Sequence, residues 1–249
     1  MQQLEEKNNT LTDSIGITDM IRKKTHVVQE GQNKNIARKI GALLIGIVIS
    51  SLGVSLSVKS NLGATPIGVC PAVFSQPLHI STGMATGILL GLFFLIQIFI
   101  LKKEFSLFQI SQLAATFVYS GSVDLITNVL SYLPDQALWQ RAIYCILGIV
   151  ILAIGIFIML KADYIMLPQD AVVQVICKQY NQEYGKIKII MDSVLTVIAA
   201  VGSWILHKKL VHVGVGTIVA AIFVGKIISW LKGIKGLNRM VTQAIGEEI

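Results

Sequence analysis

Asp124 and Asp192 are the only carboxylates well inside long apolar runs of this 249-residue chain. A charge near a bilayer centre costs at least about 2.5 kcal/mol, so each should face a partner or a cavity. Lys59 and Lys161 offer counter-charges. Lys59 with Asp124 and Lys161 with Asp192 would make an outer and an inner gating ion pair that form and break in turn. The plainer use of the same residues is lysines snorkelling from helix ends, with aspartates near the ends of their own helices. A polar interruption follows each lysine: Asn61, Thr65 and Pro66 after the first, Asp163, Pro168 and Asp170 after the second. These six are candidate solute-binding positions, because proline breaks a helix and the amide, hydroxyl and carboxylates can hold a polar ligand where it breaks.

The two interruptions are copies. Leu52–Pro66 reappears 102 residues later as Ile154–Pro168, with Gly53 matching Gly155, Lys59 matching Lys161, Asn61 matching Asp163 and Pro66 matching Pro168. The agreement falls on residues that bend, charge or break a helix, which argues for duplication rather than chance. After a slip the match resumes 106 apart: Lys102-Lys103 with Lys208-Lys209, Ala114-Ala115 with Ala220-Ala221, Phe117-Val118 with Phe223-Val224. The added 4 is close to one helical turn. Broken, polar segments at corresponding places in two halves are the best sequence pointer to a solute site in a membrane protein.

The elements that must position these residues are membrane helices. Hydrophobic residues make up 53% of the chain and charged residues 14%, where a soluble domain would have roughly 25% charged; mean hydropathy is +0.69. Six runs are long enough to span: about Ile40 to Val58, Thr82 to Leu101, Leu107 to Leu130, Ala142 to Leu160, Ile187 to Leu206 and Leu210 to Leu231. They are continuous rather than alternating, which excludes barrel strands. The expectation is an all-α integral membrane protein of six transmembrane helices. Lys34, Arg38, Lys39, Lys102, Lys103, Lys161, Lys178, Lys186, Lys188, Lys232, Lys235 and Arg239 share one side, against Lys59, Arg141, Lys208 and Lys209 on the other. By the positive-inside rule both termini of a multi-pass membrane protein would be cytoplasmic. Three spans per copy would place the second copy upside down.

The resulting organisation is a polar cytoplasmic tail over 1–37, a first three-helix repeat over 38–133, a second, inverted repeat over 141–232, and a cytoplasmic C-terminal tail over 233–249. In the first tail, Leu11, Ile15, Ile17, Met20 and Ile21 before Arg22-Lys23-Lys24 could form an interfacial helix; its polarity fits a disordered tail equally. After the first helix of each repeat comes a segment that is either re-entrant or a flat amphipathic helix, since Pro66, Pro71 and Pro77 preclude one regular helix in the first. Gly83, Gly87 and Gly91 make one small-residue stripe, and Thr217, Ala221 and Gly225 another. Both suit helix packing first and a homodimer second.

Gly53 and Lys59, Asn61-Leu62-Gly63 with Pro66, Thr82-Gly83, and Gly214, Gly216, Thr217 and Gly225 together resemble the YczE/YyaS/YitT family of bacterial integral membrane proteins over about residues 38 to 232. That resemblance implies a duplicated six-helix membrane protein and assigns no activity. The chain departs from the family pattern in two places. Asp170 keeps the acidic position two after the loop proline, whereas the first half has Gly68 there, and Tyr164-Ile165 stands where Leu-Gly would be usual.

No enzymatic constellation is present in the sequence. Cys70, Cys145 and Cys177 lack metal or redox spacing, the four histidines are scattered, and no P-loop occurs, so no enzyme activity, metal or cofactor is expected. The charge of +7 is spread over helix flanks and is no argument for nucleic acid. The expected partners are the lipid bilayer and an unknown small solute. Three readings follow: a small-solute transporter or facilitator alternating access between the repeats, a substrate-capture subunit of a multi-component importer, or a non-transporting accessory or scaffold protein. Because the second copy alone carries Asp163 and Asp170, the inner half is where a cation or basic solute should bind.

Overall fold

The computed structural model describes residues 35–102, 105–134 and 137–245, and among them every regular element is a helix. The amphipathic segment expected within the 1–37 tail lies outside the described residues; residues 35–37 already belong to the first long helix. Six helices are long and apolar enough to cross a membrane, as a multi-pass membrane protein requires. These are α1 (Asn35–Ser60), α3 (Thr82–Leu101), α4 (Ser111–Ser131, entered through a 3-10 turn at Leu107–Ile110), α5 (Leu138–Ala162), α7 (Tyr184–His207) and α8 (Val215–Gly233). Three shorter helices complete the chain: α2 (Pro66–Ser75), α6 (Pro168–Tyr180) and α9 (Lys235–Ile245).

The short helices exist because the chain is bent before them. Asn61 and Asp163 take left-handed backbone, φ 53° and 41°, just past α1 and α5, a conformation that Asn and Asp tolerate better than most residues. Pro66 and Pro168 then open α2 and α6 at the first helical turn, where the missing N–H costs nothing. Almost all of α2 is buried, as is the first half of α6. Each packs against both α3 and α7. α2 therefore sits inside the bundle, and α6 enters it by its first half while Lys178, Gln179 and Tyr180 at its end are exposed.

Two sequence boundaries need correction. The sixth apolar run begins at Leu210, yet α8 starts only at Val215. Residues before it are held in a turn instead: the Val211 amide donates to Ser203 Oγ of α7 (2.7 Å), and Ala64 N donates to the His212 carbonyl (2.8 Å). Within the expected C-terminal tail, α9 packs on α5 and α8. Its start is held by Asn238, whose amide donates to the carbonyls of Lys232 (2.6 Å) and Ile234 (2.9 Å).

Helix packing is closest where glycines meet. A methyl at Gly53 would sit 2.5 Å from the Leu152 amide, one at Gly148 2.7 Å from the Gly53 carbonyl, and one at Gly46 2.5 Å from Met159 Cγ; Gly155 faces Ser50. This α1–α5 seam brings two backbones together. The anticipated stripes contribute unevenly. Gly83 lies against Ser120 and Asp124 of α4, and a Cβ on Gly87 would be 3.0 Å from Ser120 Oγ, but nothing lies within 4 Å of the equivalent point on Gly91. Ala221 is buried and Gly225 meets the Gly185 carbonyl. Thr217, fully buried, packs closely against Gly63, and its hydroxyl also donates to the His212 carbonyl (3.3 Å) at the entry to α8.

Candidate functional site

The most polar part of the interior is built where α6 enters the bundle. Asp170 lies in the first turn of α6, and Tyr184, Lys188 and Asp192 follow one another at four-residue steps along one face of α7. All four are buried, with Lys188 and Asp192 each 1% exposed. The Lys188 ammonium bonds Asp192 Oδ1 at 3.0 Å and pairs with Asp170 Oδ1 at 3.5 Å. Tyr184 donates to Asp170 Oδ1 (2.7 Å), and the Gln169 amide donates to Asp192 Oδ1 (3.3 Å). Two carboxylates thus share one ammonium, leaving a formal charge of −1 in the interior.

Neither gating pair is formed. Lys59 donates to the Leu133 carbonyl (2.8 Å), while Asp124 accepts from Ser81 Oγ and from the Gly83 amide, both at 2.6 Å. Asp124 thereby caps the N-terminus of α3 from a neighbouring helix, where a carboxylate complements the helix dipole. Asp192 belongs to Lys188 rather than Lys161. The lysine nearest in the repeat pattern loses to the one a helical turn away.

The six proposed binding positions divide. Asn61 is exposed on the side opposite the lysine-rich flanks, and Thr65 is fully buried, its hydroxyl accepting from Ser57 Oγ (3.2 Å) and its amide donating there (3.0 Å). Pro66 and Pro168 shape the backbone. Asp163 is exposed at a cavity rim, and only Asp170 reaches the charged cluster.

That cavity, about 1030 Å³, lies on the lysine-rich side and is lined by Gln97, Lys102, Gln112, Asp163, Gln174 and Lys178 among others. Gln97 and Gln112 are buried beside it with side-chain oxygens that have no partner among the described residues. On the opposite side a smaller cavity of about 320 Å³ is lined by Lys59, Asn61, Thr127, Arg141 and His212. Burial, with His207 nearby, holds the His212 imidazole below its usual pKa. Among the described residues no cluster of three metal-ligating side chains occurs.

Sequence reasoning missed Tyr119, Gln169, Tyr184 and Lys188. Lys188 was counted among flanking charges, although its spacing of four from Asp192 inside an apolar run pointed to an internal pair. Tyr119, fully buried with an unpartnered hydroxyl, gave no local signal.

A family model described as "Family of unknown function" (DUF6198) matches residues 37–233. A Haemophilus influenzae protein described as uncharacterized is 25% identical over 197 residues, covering 79% of this chain and 84% of that protein. No solved structure matches the chain.

Proposed function

Since the chain belongs to DUF6198, a family of unknown function, its activity must be read from its geometry, and we propose a small-solute transporter or facilitator of the bacterial plasma membrane. Two inverted three-helix repeats alternate access to a solute held between them. Both termini are cytoplasmic, no chemistry is done on the solute, and kinship with the YczE/YyaS/YitT proteins is part of this reading.

The observation that carries it is a paired set of backbone breaks and glycine contacts. Six of the seven non-glycine residues with positive φ fall in pairs among the described residues: Asn61 with Asp163 and His79 with Asn181, 102 apart, and Lys102 with Lys208, 106 apart, leaving His212 single. Contacts pair likewise. Moving each residue to its counterpart 102 away turns Gly53 against Leu152 into Gly155 against Ser50, and Gly148 against Ser57 into Gly46 against Met159. Gly83 on Ser120 and Asp124 corresponds to Gly185 on Gly225 and Ser229, where both partners shift by 105, one less than the sequence match suggests. Because each copy has three spans, such pairing supports a two-fold axis in the membrane plane. The larger cavity on the lysine-rich side supports a conformer open to the cytoplasm.

The test is reconstitution of the purified chain alone in liposomes with solutes chosen by a thermal-stabilisation screen. In a variant lacking Cys70, Cys145 and Cys177, Gln174→Cys in the large cavity and Thr127→Cys in the small one should change thiol accessibility in opposite directions when solute is added. Binding without movement would mean a capture subunit, and neither would mean an accessory protein; either result overturns the proposal.

A further inference from the structure

The buried cluster is not electrically complete. Two buried carboxylates, Asp170 and Asp192, have one ammonium between them, and the hydrogen bonds they accept among the described residues gather on Oδ1. Gln169, fully buried with its amide nitrogen on Asp192, has a free side-chain oxygen in the same place. The Tyr119 hydroxyl, without a partner among the described residues, belongs to a side chain packed in the same core cluster as Tyr184. A fully satisfied structural ion pair would leave no such surplus of acceptors.

An approach to these acceptors is also present. Gln112, Thr116 and Tyr119 stand at steps of four and three on one face of α4, and all three carry buried side-chain oxygens without partners. Gln112 lines the large cavity at one end of this row, and Tyr119 at the other belongs to the same buried core cluster as Leu167, Val173 and Tyr184. Ala171, next to Asp170, lines the cavity too. Buried oxygens in a row are positions that water can bridge.

We propose that Asp170 and Asp192 together bind one exchangeable proton, delivered from the cytoplasmic cavity along the Gln112–Thr116–Tyr119 face of α4. Two carboxylates and one ammonium leave a single negative charge, and one proton on a carboxylate oxygen neutralises it. A metal cation would need several oxygens around it and would face the Lys188 ammonium, which already stands 3.0 and 3.5 Å from the two carboxylates. A proton needs one oxygen and no coordination shell. The other ionisable groups facing the cluster are Tyr184 and Lys188 from α7, Cys177 from α6, Tyr119 from α4, and Lys232 of α8, whose ammonium lies 4.7 Å from the Tyr184 ring centre. That this proton drives solute movement rests on the transporter reading; that it binds does not.

The test uses the purified full chain in detergent, with no solute. Infrared difference spectra recorded between about pH 5 and 8 should show the C=O stretch of one protonated carboxylic acid appearing as pH falls. The band should keep its midpoint when sodium replaces potassium, vanish in Asp170→Asn and in Asp192→Asn, and persist in Asp163→Asn. Tyr184→Phe, which removes a hydrogen bond to ionised Asp170 while keeping the ring, should move the midpoint upward by about one pH unit. This variant serves if the aspartate variants fail to fold. A spectrum without a titrating carboxylic band, a band that survives in both aspartate variants, a midpoint unmoved by Tyr184→Phe, or a midpoint displaced by sodium would each overturn the proposal. Failure of liposome uptake with the band present would sink only the transport reading.

Discussion

Positions 102 residues apart, matched in the sequence, hold opposite chemistry. In the second half, Gln169, Asp170, Lys188 and Asp192 form a buried charged cluster; the residues 102 earlier are Ile67, Gly68, Thr86 and Leu90, all buried and neutral. Thr86 satisfies itself by donating to the Thr82 carbonyl (2.7 Å), and Leu90 is fully buried in the apolar core. At Gly68 a Cβ would sit 2.7 Å from a methyl of Val54, so no carboxylate fits there without a shift. Shape and chemistry are thus carried by different residues. Prolines, left-handed turns and close glycines recur in both halves and set the frame, while the residues that could hold a ligand occur once.

The largest test of that contrast is Lys188→Met, which strands two buried carboxylates; breaking a buried pair from one side costs about 3–5 kcal/mol. Thr86→Met at the counterpart position should cost at most about 3 kcal/mol, the usual limit of overpacking. Thermal unfolding in detergent would compare them, and equal losses would erase the distinction. Gly53→Val and Gly155→Val should instead behave alike, each destabilising by about 1–3 kcal/mol through overpacking at the α1–α5 seam. A gap between them above about 1 kcal/mol would break the equivalence of the halves. Asp124→Ala should cost about 1 kcal/mol by uncapping α3. Combined with Lys59→Ala it should be additive within about 0.5 kcal/mol, as expected when each residue has its own partner. Least affected should be Asn61→Gly and Asp163→Gly, which keep the left-handed turns and should shift stability by less than about 0.5 kcal/mol.

Much of the frame was legible because it is written locally. Apolar runs gave the six spans, and the prolines and the Asn61/Asp163 match located the two breaks within a few residues. What needed the structure is written across distance. The cap on α3 joins Asp124 to Gly83, 41 residues apart, and the partner of Lys59 is a backbone carbonyl. Neither leaves a mark in spacing. The α1–α5 seam was half visible, since Gly53 and Gly155 stood out as a matched pair while their contacts with Leu152 and Ser50 did not. Lys188 was misplaced for a different reason: a lysine near a helix start suits a membrane flank as well as a buried pair, and only its neighbours decide.

The packing of the two short helices bears on how the protein is made. α2 rests on α7 as well as on α3, and α6 on α3 as well as on α7. The translocon releases helices in order, so α2 emerges more than one hundred residues before the partner that completes its surroundings. Until α7 arrives, a ten-residue helix too short to span must wait at the membrane surface with its apolar sides uncovered. Biogenesis therefore ends with an exchange between the early and late parts of the chain, and a ribosome-released fragment stopping after α5 should be recognised by membrane quality control as unfinished.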